Sequence, residues 1–216
     1  MAYTTINKSG LHFNTITWAG NNSARSLTGV GFAPDWIWLK DRTNANAWIV
    51  EGSAVSSDHS QRLELNENMA LTNLTTGITA LSSTTFTVGT FNNINTSSAN
   101  IIAFLFSSVS GICKIGTYTG NGSTQTIDCG FSNGSKLVIV KRTDTGGNGN
   151  WVVMDSVRGI NAGDDPTVSI NVTNPNDPFD LINPQNSGFE VEEHSGSSVH
   201  KINTNGATYL FYAIAA

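Results

Sequence analysis

The sequence predicts an all-β protein made of two tandem, internally duplicated antiparallel β-sandwiches of jelly-roll or lectin-like type. Three observations carry this. Helical periodicity is almost absent, while short β-branched and aromatic runs alternate with Asn/Gly/Ser/Thr clusters. The strand list of the first half recurs in the second at a slowly drifting offset. Finally, 25 Asn, 23 Ser, 25 Thr and 21 Gly supply turns, and a 38% hydrophobic content is enough for a core.

In chain order, the predicted strands of the first half are Asn14–Trp18, Trp36–Lys40, Ala47–Val50, Arg62–Leu65, Thr85–Val88 and Ile101–Phe106. Those of the second half are Ile115–Tyr118, Lys136–Lys141, Trp151–Met154, Thr167–Asn171, Gly188–Glu192 and Thr208–Ile214. Most are short and bounded by turn residues. The runs Ile101–Phe106 and Tyr209–Tyr212 do not alternate, which marks strands covered on both faces or central in a sheet.

The duplication is read residue by residue. Trp18-Ala19-Gly20-Asn21-Asn22-Ser23 matches Tyr118-Thr119-Gly120-Asn121-Gly122-Ser123 at an offset of 100. Gly31-Phe32 matches Gly130-Phe131, Arg42-Thr43 matches Arg142-Thr143, and Trp48-Ile49-Val50 matches Trp151-Val152-Val153. Further on, Leu63–Asn66 matches Val168–Asn171, Phe86–Val88 matches Phe189–Val191, and Ile94-Asn95 matches Ile202-Asn203. The offset runs from 99 to 108, with the jumps in Gly/Asn-rich loops that tolerate insertions. The expected organisation is an arm over 1–10, one sandwich over 11–108 and a second over 109–216.

Composition excludes several classes of function. Charged residues are only 12% of the chain, the net charge is −5, and the eleven Lys and Arg are scattered, with no run longer than the Lys141-Arg142 pair. Phosphate recognition needs a basic stripe, so nucleic acid is excluded as a main partner. No run of about 18 apolar residues exists, so no membrane insertion is expected. Residues 1–8 contain no apolar segment of the signal-peptide kind, which argues against a secretory precursor.

Two cysteines, Cys113 and Cys129, are too few for a disulfide scaffold or a structural zinc site. The intervening Asn121-Gly122 predicts a hairpin that brings residue 113 opposite 129 or 130, within reach of a disulfide. Two thiols left unbridged in a reducing compartment are the simpler reading and the one preferred.

The half-repeat resembles a family. Its pattern in the second half is Tyr118–Ser123, Cys129-Gly130-Phe131, Lys141-Arg142-Thr143, Trp151 and Asp155-Ser156-Val157-Arg158-Gly159, closing on Ile202-Asn203 and an aromatic strand. It is similar to the tandem β-sandwich modules of bacteriophage tail fibres and related virion surface proteins of marine and cyanobacterial phages. The first half keeps Gly31-Phe32-Ala33-Pro34-Asp35-Trp36 but has Glu51-Gly52-Ser53 where Asp-Ser-x-Arg-Gly would stand. The resemblance implies a virion building block acting in many copies, a homo-oligomer with a trimer favoured. Its other implied partners are virion proteins and host surface carbohydrate, and it implies no chemistry.

Residues that invite a chemical reading have simpler ones. Asp58-His59-Ser60 has triad residue types but as neighbours in one loop, which predicts a solvated turn. Asp164, Asp165, Asn174, Asn176, Asp177 and Asp180 offer oxygens to a calcium ion, but prolines 166, 175 and 178 explain that loop equally well. His194 and His200 flank a turn with no third ligand in view. Asp155 and Arg158 are expected to pair and fix the turn before Gly159. No two acids are placed for glycoside cleavage, and no cofactor is implied.

Contact candidates are aromatic. In Trp36-Ile37-Trp38-Leu39-Lys40 alternation sets Trp36, Trp38 and Lys40 on one face, and an offset of 100 places Lys136 at the position of Trp36. A site that takes Trp in one copy and Lys in the other reads as a rim, so Trp36 is a candidate contact with a subunit or a sugar ring, against half-buried core packing as the blander and preferred reading. Trp18 and its equivalent Tyr118, beside a turn, are the others. Trp48 and Trp151 read as core. In the arm, Tyr3 and Ile6 are the large apolar groups and the candidates for anchoring. The expectation is a non-enzymatic phage surface protein located on the virion, a tail-fibre or receptor-binding component, with a capsid decoration protein as the alternative.

Overall fold

The computed structural model describes residues 10, 12–147, 149–173, 177–193 and 200–216. The chain divides into two compact units. The first comprises residues up to Glu64 together with Thr72–Ser107, and the second comprises Leu65–Leu71 together with Ser108–Ala216. The short segment Leu65–Leu71 thus belongs to the second unit although it lies within the first half of the sequence.

Unit 1 contains β1 (Phe13–Ala19), β2 (Arg25–Thr28), β3 (Trp36–Asp41), β4 (Ile49–Glu51), β5 (Gln61–Glu64), β6 (Thr72–Asn73), β7 (Ile78–Leu81), β8 (Thr85–Val88), a single helical turn α1 (Asn92–Asn95) and β9 (Asn100–Phe106). One sheet has the order β1-β9-β3-β4-β5-β6 and the other β2-β8-β7, all pairs antiparallel. The core between them takes alternate residues of each strand, among them Trp18, Ile37, Leu39, Phe86, Ile101 and Ala103.

Unit 2 repeats the plan strand for strand. It contains β10 (Cys113–Thr119), β11 (Gln125–Asp128), β12 (Ser135–Arg142), β13 (Trp151–Asp155), β14 (Asp165–Ser169), β15 (Asp177–Phe179), β16 (Ile182–Gln185), β17 (Gly188–Val191) and β18 (Thr208–Ala215). The sheet orders are β10-β18-β12-β13-β14-β15 and β11-β17-β16. Val138, Val140, Met154, Phe189, Tyr209 and Phe211 fill its core. The two sheet orders are identical once β1 is matched to β10, and this is a duplicated pair of β-sandwiches. The apolar runs in β9 and β18 are central strands, each flanked on both sides, as their lack of alternation predicts.

Two registers differ from expectation. The Asn121-Gly122 turn joins no hairpin: β10 pairs with β18 (Tyr118↔Tyr209) and β11 with β17 (Ile127↔Phe189), so the turn carries the chain from one sheet to the other. Cys113 therefore stands opposite Ile214, and the two cysteines form no disulfide. The second concerns β3. Trp36 pairs with Phe106 and Leu137 with Ile214, and those partners are equivalent, so Trp36 corresponds to Leu137 and Asp41 to Arg142. The apparent Arg42-Thr43 match is a one-residue slip, and the Trp-against-Lys argument for a rim at Trp36 falls with it.

Candidate functional site

The most repeated feature of both units is a clamp around one buried asparagine. Asn203, fully buried, accepts from Asn121 N–H at 3.1 Å and donates to the carbonyls of Ser123 (2.5 Å) and Val191 (3.3 Å). Asn95, equally buried, accepts from Asn21 N–H at 3.1 Å and donates to Ser23 O (2.9 Å) and Gly89 O (2.6 Å). Each clamp ties the turn after the first strand to the segment before the last. Gly20 and Gly120 sit inside it because an added Cβ would lie 2.0 Å from Thr96 O and 2.3 Å from Thr204 O. The residue two places on is left-handed in both copies, Asn22 (φ 58) and Gly122 (φ 69), as are Ser98 (φ 65) and Gly206 (φ 76).

Trp18 and Tyr118 belong to this clamp. Trp18 is buried, donates from Nε1 to Ile94 O at 3.2 Å and meets Phe86 edge-on at 5.7 Å. Tyr118 donates its hydroxyl to Ile202 O at 2.5 Å and stacks on Tyr209 at 4.9 Å. Burial, with Tyr209 beside it, pushes the Tyr118 hydroxyl well above its ordinary range. Both side chains are struts holding the turn; Trp18 is buried, which corrects its reading as an exposed contact, while Tyr118 is half-buried. Trp36 is likewise no rim residue: it is fully buried, with Trp38 edge-on at 5.4 Å and Phe106 at 6.2 Å. Trp151 is core, while Trp48 is only half-buried, against Phe104. Tyr3 and Ile6 lie outside the described residues.

Charged groups in the interior turn to backbone. Glu51 Oε2 accepts from Ile78 N–H at 2.7 Å, and burial pushes this carboxyl up to about 8. In unit 2 the equivalent N–H, that of Ile182, is taken at 2.9 Å by Asp165, which also accepts from Leu181 and Asn161 N–H. Two different acids, from non-equivalent positions, thus anchor the same strand start. Lys141 is fully buried; its Nζ donates to the carbonyls of Met69 (2.8 Å), Asn68 (3.3 Å) and Arg142 (2.8 Å), beneath the Trp151 ring. Burial pushes the ammonium down to about 7, and the three carbonyls occupy all its donors.

The remaining sequence candidates fall into turns. Asp58 is exposed and accepts from the hydroxyls of Ser56 and Ser60, which hold it down to about 2, so Asp58-His59-Ser60 is a surface turn with His59 left-handed (φ 58). Asp155 and Arg158 form the expected pair, 2.5 Å apart, and Asp155 caps the N–H groups of Val157 and Arg158. Of the calcium candidates, Asn174, Asn176 and the Asp177 side chain lie outside the described residues, as does His194. His200 is buried, with Nε2 3.3 Å from Ser169 Oγ. No group of three potential metal ligands occurs among the described residues. Burial pushes the Cys129 thiol up to about 12, so it is protonated at neutral pH.

The family model that matches the chain covers residues 8–50 and 41–216 and is described as a domain of unknown function, DUF7483. The chain belongs to this family. No curated protein and no solved structure matches it. For the DUF7483 chain the internal symmetry is therefore the informative comparison. The burial of Glu51, Asp165 and Lys141 escaped sequence reading because nothing in their local pattern separates a buried charge from a solvated one. The clamp asparagines did leave a signal, the repeated Ile-Asn pair before each last strand.

Proposed function

We propose that this DUF7483 chain is a non-enzymatic building block of a bacteriophage virion, exposed on the particle as a tail-fibre or receptor-binding component. The observation that supports this best is where its polar chemistry goes. Asn95, Asn203, Glu51, Asp165, Lys141 and Asp155 all make hydrogen bonds to backbone of their own unit. What remains outside is a weakly charged surface rich in Asn, Ser and Thr. Amides and hydroxyls suit neutral polar partners, host surface carbohydrate among them, and many copies convert weak single contacts into useful avidity. In this reading the partners are other virion proteins and further copies in a homo-oligomer, with no role for nucleic acid or membrane insertion.

A second reading, a capsid decoration protein, is favoured by the lack of a fibrous shaft or coiled coil among the described residues, whose one helix is a single turn. Electron microscopy of virions labelled with antibody against the chain separates the two. Label at the tail supports attachment, label over the head supports decoration, and unlabelled particles overturn both. Incubation with host capsule or lipopolysaccharide is expected to release no reducing ends, and release would overturn the non-enzymatic reading.

A further inference from the structure

The two long edge strands, equivalent by duplication, are finished differently. In an antiparallel pair, alternate residues turn both N–H and C=O toward the partner. The bonds from Ser107 N–H to His12 O and from Gly20 N–H to Ala99 O set the phase of β1, so its even-numbered residues face β9. Phe13, Thr15, Thr17 and Ala19 turn their backbone groups away from the sheet, and all four are exposed. Ala19 O is occupied by the Arg25 guanidinium, and Thr15 N–H rests on the adjacent Asn14 side chain at 2.9 Å.

In β10 the corresponding edge is covered at three of its four outward-facing residues, all but Thr117. Cys113 exchanges both backbone bonds with Val109 (2.9 and 3.0 Å), and the Ser108 hydroxyl bridges Ile115 N–H and C=O at 3.1 and 3.4 Å. Gln125 Nε2 caps Thr119 O at 3.0 Å. Proteins protect open edges with charge, proline or a bulge. The β1 sequence Phe-Asn-Thr-Ile-Thr-Trp-Ala has neither charge nor proline, and its seven-residue register against β9 runs unbroken.

We propose that the β1 edge is a docking surface for β1 of a second copy of this chain, the strands pairing antiparallel about a two-fold axis through Thr15. The free groups dictate the register. With Ala19 O capped and Thr15 N–H resting on Asn14, Phe13 and Thr17 have both backbone groups to offer and Thr15 its carbonyl, so Phe13 of each copy meets Thr17 of the other and Thr15 meets itself. The two Phe13–Thr17 pairs exchange about four N–H···O bonds, and the Thr15 pair adds about two once its N–H leaves the Asn14 side chain. The contact is isologous and closes on two copies. It also covers Phe13, which is 42% exposed and packed on Phe106 at 5.1 Å, and it brings no charged β1 side chains together. It does not depend on which part of a particle the chain occupies.

Sedimentation of the full chain from micromolar to millimolar concentration tests this, with Thr15→Lys and Thr15→Cys. Lysine at 15 keeps every bond to β9 but sets like charges on the axis, so the fold, read by circular dichroism, is unchanged. The expected result is a monomer–dimer equilibrium for the unsubstituted chain, weakened at least tenfold in T15K. Residues in a hydrogen-bonded pair stand about 5.5 Å apart at Cα, within disulfide range, so T15C is expected to give a covalent dimer in air, beyond any background from Cys113 and Cys129. A chain that stays monomeric with no T15C cross-link, as when its own N-terminal arm takes the edge, overturns the proposal. So does a trimer or larger assembly that T15K leaves intact.

Discussion

At Glu51 a single proton couples the fold to pH. In the folded chain burial raises this carboxyl to about 8, whereas an unfolded glutamate titrates near about 4.3. Between those values the folded state keeps a proton that the unfolded state has lost. The stabilisation is complete below the unfolded value and disappears as pH rises through the folded one. Glu51→Gln, which keeps an acceptor for Ile78 N–H, is expected to flatten this slope. Urea denaturation at pH 5 and pH 8 should then show a difference smaller by on the order of a few kcal/mol than in the unsubstituted chain. Asn203 carries a larger share of order. Asn203→Ala strands Asn121 N–H and Ser123 O inside the clamp and is expected to cost about 2–4 kcal/mol, read by the same denaturation. Substitution of Asp58, in its exposed turn, is expected to move the urea midpoint far less than Asn203→Ala does.

Elements differ in how plainly the sequence declares them. Twelve strands with β-branched or aromatic residues were legible, because burial on one or both faces imposes that composition. The strands β2, β6, β7, β11, β15 and β16 were not. They are short, and Arg-Ser-Leu-Thr or Ile-Asn-Pro-Gln reads as loop because such strands are held by pairing and by anchors such as Asp165 rather than by apolar pattern. The Asn-Gly signal at 121–122 marked a real turn, but local sequence cannot say whether the strands it joins pair with each other or belong to opposite sheets. Symmetry helps where propensity fails. Ser98 and Gly206 occupy the same left-handed position, and a non-glycine residue there costs about 1–2 kcal/mol. Ser98→Gly is therefore expected to raise stability by about 1 kcal/mol, visible as a higher thermal midpoint.

Across the whole molecule the sequence boundary and the physical one diverge. A cut near residue 108 looks natural from the repeat, yet unit 2 also contains Leu65–Leu71. That segment supplies two of the three carbonyls around Lys141 and the bond from Leu71 N–H to Thr143 O at 2.9 Å. Residues 108–216 made alone are expected to melt well below unit 2 in the full chain, because a buried ammonium is left short of acceptors. Lys141→Met should recover part of that loss in the fragment and lower stability in the full chain. The unequal anchors of Ile78 and Ile182 add a chronology. The clamp asparagines, their glycines and the left-handed turns stand in both halves, so they descend from the ancestral single module. Glu51 and Asp165 reach the same N–H from unrelated positions, so the two halves came to differ in at least one of those carboxylates after the duplication. Turn architecture is what the two modules share, and buried charge is what tells them apart.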